Sequence, residues 1–288
     1  MQLAFSSRPN AWRYMALALC PSPGLHAGVP DIQARWDGWR ASARDVADFT
    51  ALCGLPPAGE AMPSLLPHAT AFRLQMAMLT HPSFPVPIWR VLQVRNRLRQ
   101  VAPAMPQAAL DFGSRIAAHR VLEKGAEFDL HTRITSGGEL VAESLNSFYV
   151  RGRFAAPAPL APPAESPAPG DTALAQWEMP PGGGLRFGRL TGDYNGIHLW
   201  DPYARMFGFR KAFFHPLRVV AQALAHSAAQ PPLPWQLDVW LKGPVLHGSR
   251  VELRKREEAA GTVLSLAVRH DPRPAIVMRL APGASRPL

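Results

Sequence analysis

The sequence contains two copies of one pattern, and this internal repeat restricts the possible folds more than any other feature. In each copy a histidine precedes a stretch with helical hydrophobic spacing, a group of prolines ends that stretch, and a tryptophan opens a strand-like segment. The first copy places His68 and Trp89 21 residues apart, and the second places His215 and Trp235 20 residues apart. The repeat therefore predicts two units of the same fold.

Each copy continues with a Gly-Ser-Arg tripeptide, at 113–115 and 248–250, followed by strand-like segments with turns between them. Gly125 and Gly261 lie in corresponding turns. The strand candidates are His119–Glu123, Phe128–Thr135, Leu140–Val150, Val251–Glu257, Thr262–His270 and Ala275–Leu280. Neighbouring strands joined by short turns form an antiparallel sheet, against which a single long helix must bury its apolar side. Each unit is therefore predicted to be α+β, with a helix wrapped by a curved sheet.

A tract rich in proline and alanine over residues 154–172 is typical of a semi-extended linker. It divides the chain into an N-terminal unit over 1–153 and a C-terminal unit over 173–288. Residues 1–60 are predicted to add short helices, one of them over 45–53. Tyr14–Cys20 is too short for a membrane span and is interpreted as an amphipathic helix. Two cysteines are too few for a disulfide framework, which predicts a cytoplasmic protein.

The formal net charge is +10, and only four of the 31 basic residues are lysines. A coding bias toward arginine explains part of this excess, and an anionic partner is the alternative. The arginines are scattered, without the basic runs that nucleic-acid-binding proteins show. The sequence therefore predicts no nucleic-acid partner and no membrane partner. It favours a small molecule bearing phosphate, or an acidic carrier protein.

One segment of the second unit has no counterpart in the first. This loop, Thr191–His198, contains an aspartate and a histidine five positions apart, Asp193 and His198. A carboxylate and an imidazole directed at one point can share a water molecule and transfer its protons. The alternative is structural, with Asp193 capping the turn and His198 packing beneath the helix. A metal site that adds Asp201 lacks a convincing further ligand.

The segments LTGDYNGIHLWDPYARMFGF and FFHPLRVVAQALAH resemble the hydratase signature of the MaoC-like dehydratases, which include the type 2 enoyl-CoA hydratases. PHATAFRLQMAMLTHPSFPVPIWRVLQVRNRL resembles the N-terminal half of the two-unit members. The resemblance covers roughly residues 40–285 and implies a double hot-dog fold. It also implies a reversible hydration of trans-2-enoyl thioesters of coenzyme A or acyl carrier protein, giving 3-hydroxyacyl thioesters. No metal or organic cofactor is implied.

By the same resemblance, Asp193 and His198 match the catalytic pair, while Gly192 and Asn195 belong to the loop that supports it. Pro216 stands where the family has the glycine whose N–H stabilises the thioester oxygen, and Leu217 replaces a methionine. Proline has no N–H, so two interpretations stay open. Pro216 either weakens this oxyanion site, unless the Leu217 N–H takes over, or simply starts the helix well.

The remaining predicted site residues carry weaker expectations. His215 is expected to be structural, and an acyl pocket is predicted in the first unit. The acyl-pocket residues are Phe72, Met76 and Phe84, and the basic residues predicted either to meet phosphates or to form a solvated face are Arg210, Lys211 and Arg218. Two other functions are kept, a non-catalytic acyl-thioester-binding subunit and a hot-dog thioesterase. The assembly is expected to be a monomer of paired units or a homodimer.

Overall fold

The computed structural model describes residues 1–57, 59–154, 165–229, 232–283 and 288. The helices are α1 (Ala11–Leu17), α2 (Ala43–Cys53), α3 (Leu65–Leu79), α4 (Gly184–Thr191), α5 (Asp201–Met206) and α6 (Pro216–Ser227). The strands are β1 (Gln2–Phe5), β2 (Gln33–Trp39), β3 (Val91–Gln100), β4 (Leu110–Leu122), β5 (Gly125–Ser136), β6 (Glu139–Arg151), β7 (Thr172–Glu178), β8 (Trp235–Leu241), β9 (Arg250–Glu258), β10 (Gly261–Val268) and β11 (Pro274–Pro282). None of the helices in these described ranges is long and apolar enough to cross a membrane.

The strands form one sheet in the order β1-β2-β4-β5-β6-β3-β8-β11-β10-β9-β7. This order is symmetric about its centre, because β4-β5-β6-β3 on one side corresponds to β9-β10-β11-β8 on the other. The two halves meet where β3 and β8 pair antiparallel, with Leu98 opposite Leu237. The sheet therefore confirms the α+β class and shows the predicted repeat as two equivalent four-stranded groups.

Each half packs one long helix against its own strands. All residues of α3 except Phe72 are buried, so this helix lies inside the first half. The second helix, α6, buries one face, including Val219, Val220 and Ala223, against the second half. The buried apolar side chains of both halves form one continuous cluster. Burial of each large aliphatic side chain contributes about 1.5–3 kcal/mol, so the junction between the halves is a substantial part of the core.

The N-terminal segment differs from its prediction as a set of short helices. It does contain α1 and α2, but it also contributes β1 and β2, which extend the sheet beyond β4. The alternation of buried and exposed residues along β2 was the signal for this strand. The candidate His119–Glu123 is also not a separate strand, because β4 runs from Leu110 and ends there.

The predicted linker lies partly outside the described residues, which omit 155–164, and Pro231 of the second proline group is likewise omitted. The last residue of the predicted linker, Thr172, is the first residue of β7. This strand pairs with β9 and occupies the far edge of the sheet. Trp89 lies in a 3-10 turn just before β3 rather than in the strand.

Candidate active site

The loop that contains Asp193 begins where α4 ends. The helix terminates at Gly192, whose φ of 78° is in the left-handed region. A Cβ at this position would lie 2.0 Å from the Tyr14 hydroxyl oxygen, so close packing as well as backbone conformation requires glycine here. The sequence therefore turns the chain sharply one residue before Asp193.

The loop is held in shape by its own short polar side chains. The Asp193 N–H donates to Thr191 Oγ1 at 3.1 Å, and the Asn195 N–H donates to Asp193 Oδ1 at 3.1 Å. Asn195 Oδ1 in turn accepts from the Ile197 N–H at 3.2 Å and caps the 3-10 turn that ends in His198. Asn195 thus has the loop-shaping contacts that the sequence predicted, and Asp193 keeps Oδ2 for other partners.

The loop and the 3-10 turn bring Asp193 and His198 together. Asp193 Oδ2 lies 3.4 Å from His198 Nε2. His198 Nδ1 lies 2.9 Å from the carbonyl oxygen of Phe213, which can only accept, so Nδ1 is a donor and Nε2 is the nitrogen that can exchange a proton. Burial alone would raise the pKa of the Asp193 carboxyl, but the neighbouring His198 lowers this pKa well below its usual range. Asp193 is therefore ionised at neutral pH.

His215 stands at the N-cap of α6 and faces the same loop. Its Nε2 donates to the backbone carbonyl of Asp193 at 3.0 Å, and its ring stacks on His198 with centroids 4.0 Å apart. Burial, together with the neighbouring His198, lowers the pKa of His215 to about 3. A neutral, buried ring with this bond is suited to fixing the loop rather than to donating protons.

The start of α6 borders a small cavity of about 40 Å³ beside Asp193 and His215. Pro216, the first helical residue, has no N–H, so the first free amide of the helix belongs to Leu217. Both residues line the cavity. A helix N-terminus favours negative charge, which places an anion-stabilising element next to the Asp–His pair.

The opposite wall of this cavity comes from α3, β3 and β6 of the first half. Its lining side chains are His68, Phe72, Gln93, Asn96, Leu98 and Asn146. Phe72 therefore lies where the acyl pocket was predicted. The structure places Met76 and Phe84 elsewhere, in the core: Met76 packs beside Tyr14, and the Phe84 ring lies 5.0 Å from that of Phe128.

The predicted basic residues have different environments. Arg218 is buried, and its guanidinium donates to the carbonyls of Leu52 at 2.9 Å and Gly182 at 2.7 Å. Because these bonds use its donors inside the fold, Arg218 does not provide the exposed phosphate contact that was suggested. Arg210 and Lys211 are exposed.

Two residues of the first half that sequence analysis missed hold the loop from behind. The Tyr14 hydroxyl donates to the Gly192 carbonyl at 2.7 Å. The buried Arg73 donates to the carbonyls of Arg189 and Leu190 at the end of α4 and to that of Pro9. The cation thus satisfies carbonyls that a helix C-terminus leaves unpaired. A charged residue inside the apolar α3 pattern was the available signal for Arg73, whereas nothing in the sequence indicated Tyr14.

Among the described residues, Asp193, His198 and His215 could hold a metal ion, since their ligand atoms lie within 4.8 Å of one another. Two imidazoles and a carboxylate are a donor set that suits zinc. However, His215 Nε2 already bonds the Asp193 carbonyl, and His198 Nε2 faces Asp193 Oδ2. Asp201, the third ligand considered from the sequence, accepts from the Ala212 N–H instead.

No protein-family model matches the chain. It is 26% identical over 224 residues to 3-hydroxyacyl-thioester dehydratase X of Mycobacterium tuberculosis, covering 77% of this chain and 79% of that protein. The crystal structure of the same mycobacterial protein superposes with a TM-score of 0.74 at 22% identity, over 86% of this chain and 98% of the other.

A MaoC-like dehydratase from Phytophthora capsici superposes with a TM-score of 0.70 at 17% identity, over 90% of this chain and 97% of the other. A Mycobacterium tuberculosis protein described as having a double hot-dog fold gives a TM-score of 0.57 at 16% identity, over 90% and 98%. These comparisons confirm the predicted resemblance to the MaoC-like dehydratases and the double hot-dog fold.

Proposed function

We propose that this protein is an acyl-thioester hydro-lyase, which adds water reversibly to a trans-2-enoyl thioester and gives the 3-hydroxyacyl thioester. The single observation that supports this most strongly is the 3.4 Å approach of Asp193 Oδ2 to His198 Nε2 beside the start of α6. The likeness to a 3-hydroxyacyl-thioester dehydratase and to MaoC-like dehydratases supports the same reaction class.

The pair is suited to binding the water that reacts. The Asp193 carboxylate is an acceptor, and His198 Nε2 is also an acceptor when the ring is neutral, because Nδ1 carries the proton. A water molecule can donate one hydrogen to each. In hydration its oxygen adds to C3, one of its protons passes to the pair, and a proton from the pair is delivered to C2. One water molecule is consumed, and the pair ends in its starting state.

The thioester oxygen gains negative charge while C2 accepts its proton, and this charge needs a nearby donor. We place the thioester carbonyl at the start of α6, where the Leu217 N–H is the first amide available and the helix dipole favours an anion. Dehydration is the same sequence in reverse, with the pair removing the C2 proton and protonating the departing 3-hydroxyl.

The test is the incubation of the purified protein with crotonyl-CoA while the absorbance of the enoyl thioester is followed. Loss of this absorbance, without release of free thiol, supports a hydro-lyase, whereas thiol release would indicate a thioesterase. The second candidate, a non-catalytic acyl-thioester-binding subunit, is favoured by the missing N–H at Pro216. Saturable binding of crotonyl-CoA with no change in absorbance would select it.

A further inference from the structure

The first-half wall of the cavity contains two asparagines that lie directly opposite each other. Asn96 on β3 pairs in register with Asn146 on β6, and both line the cavity. Their side chains are 3% and 6% exposed. Neither Oδ1 atom has a hydrogen-bond partner within the described part of the chain. An unpaired buried acceptor costs about 1–3 kcal/mol, so two of them facing one cavity indicate a site for a hydrogen-bond donor.

A chain of hydrogen bonds fixes the orientation of one of these amides. Asn146 Nδ2 donates to Gln75 Oε1 at 2.8 Å, and Gln75 Nε2 donates to Thr132 Oγ1 at 3.1 Å. Thr132 Oγ1 in turn lies 2.9 Å from Ser114 Oγ. All of these residues are buried. Because the amide nitrogen of Asn146 is held by this chain, its oxygen is the atom that is left for a ligand.

The character of the wall also limits what the ligand can be. Asn96, Asn146 and Gln93 are uncharged, and burial lowers the pKa of the adjacent His68 to about 4, so this ring is neutral as well. The one acidic group in the lining, Asp193, is already close to His198. A neutral donor is therefore favoured over an ammonium group. A volume of about 40 Å³ admits only a small group.

We propose that the Asn96–Asn146 pair binds a hydroxyl group on the acyl chain beyond C3, so that the preferred substrates are short hydroxylated enoyl thioesters. This inference rests on the proposed function, because it assigns the substrate class of the same site. A methyl group in this position would leave both acceptors unpaired. Sites that hydrogen-bond a substrate hydroxyl discriminate strongly against the analogue that lacks it, by up to about 10⁴-fold.

The experiment compares isosteric pairs that differ by a hydroxyl in place of a methyl group. The pairs are 4-hydroxybut-2-enoyl-CoA with pent-2-enoyl-CoA, and 5-hydroxypent-2-enoyl-CoA with hex-2-enoyl-CoA. For the wild-type protein, we expect kcat/KM to favour the hydroxylated member of at least one pair by tenfold or more. Asn96→Leu and Asn146→Leu, which nearly conserve volume, should each remove most of this preference. Gln236→Leu is the matched control, because this half-buried amide on β8 bonds Asp238 and lies outside the cavity lining.

Binding separates this inference from the proposed function. Unreactive amide analogues of the same saturated acyl chains, with nitrogen replacing the thioester sulfur, are titrated calorimetrically into the wild-type protein. Tighter binding of the hydroxylated analogues without turnover of any enoyl thioester would overturn the hydro-lyase and retain the hydroxyl site. Equal binding and equal kcat/KM within both pairs would overturn the hydroxyl site alone. If the leucine variants fold and lower both members of a pair equally, the asparagines act on the reacting water and the inference is wrong.

Discussion

The hydroxyl of Tyr14 donates a 2.7 Å hydrogen bond to the backbone carbonyl of Gly192, the residue that precedes Asp193. These two residues are 178 positions apart in the sequence, and the bond joins α1 of the first half to the loop of the second. Arg73 reinforces the same connection through the end of α4. The half without an Asp–His loop therefore positions the loop of the other half.

Tyr14→Phe should lower the hydration rate without preventing substrate binding. The change leaves the Gly192 carbonyl without its buried donor, at a cost of about 1–3 kcal/mol, and loosens the backbone next to Asp193. We expect kcat to fall about threefold to thirtyfold and KM to change little, as measured by steady-state kinetics on crotonyl-CoA. Tyr149→Phe is the matched control, because its hydroxyl bonds the Lys124 carbonyl at an exposed site. Equal effects of the two substitutions would show that Tyr14 has no special role in positioning.

Asp193→Asn and His198→Gln should each reduce hydration by about 10²–10⁴-fold, the usual range for a lost general acid–base group. Neither should unfold the protein, since the Asn195 amide at Asp193 and the Phe213 carbonyl at His198 can bond the replacement amides. Initial rates and thermal melting curves check this together. Turnover close to that of the wild type, in two variants that melt normally, would remove this pair from the mechanism.

The extent to which the sequence predicted the site can be judged from particular residues. Asp193, Asn195 and His198 are close in sequence, so their arrangement depends on local turns that a motif can indicate. Tyr14 and Arg73 act across the boundary between the halves, and such contacts depend on how the two units dock. Likewise, the helical spacing of α3 identified Phe72 and Met76 equally well, yet only Phe72 lines the cavity. Periodicity gives the buried face but not which neighbour covers it.

Stability should decrease as the solution becomes acidic, partly because of His68. Burial lowers the pKa of this ring to about 4, below the value of about 6.5 expected in the unfolded chain. Its contribution is therefore fully present above pH 6.5 and is lost as the pH falls toward 4. Between pH 6.5 and 5 the loss is about 2 kcal/mol, at about 1.4 kcal/mol per pH unit.

His68→Gln should therefore flatten the dependence of unfolding free energy on pH, whatever it does to stability at pH 7. Urea unfolding at pH 5.0, 5.75 and 6.5 measures this slope. His26→Gln, at an exposed histidine, should leave the slope unchanged. The same slope in His68→Gln and in the wild type would mean that this ring can take up a proton in the folded protein.

Hydration should be insensitive to metal chelators. His198 and His215 each use one ring nitrogen on a backbone carbonyl, and the loop geometry is explained by hydrogen bonds without an ion. Dialysis against EDTA, followed by kinetics with and without added zinc, should change the rate less than twofold. Activity that disappears on dialysis and returns with zinc would instead identify Asp193, His198 and His215 as ligands of a required metal.

Pro216 gives the sharpest test of how the thioester oxygen is stabilised. Each backbone donor at such a site contributes roughly 10²–10³ in rate, and Pro216 has no N–H to offer. The Leu217 N–H lies one residue further along α6, about 100° around the helix axis, so it cannot occupy the same point without a change in the entry of the substrate.

Pro216→Gly should therefore raise the rate of crotonyl-CoA hydration about tenfold or more. The freed backbone should lower stability by about 0.4–1 kcal/mol or somewhat more, which thermal melting measures alongside the kinetics. Pro216→Ala provides the matched comparison, because it restores the N–H with less backbone freedom and should show a similar gain in rate with a smaller loss of stability. If both variants fold and neither gains activity, the Leu217 amide or another donor already serves the thioester oxygen. In that case the role of Pro216 is to start α6 rather than to limit the reaction.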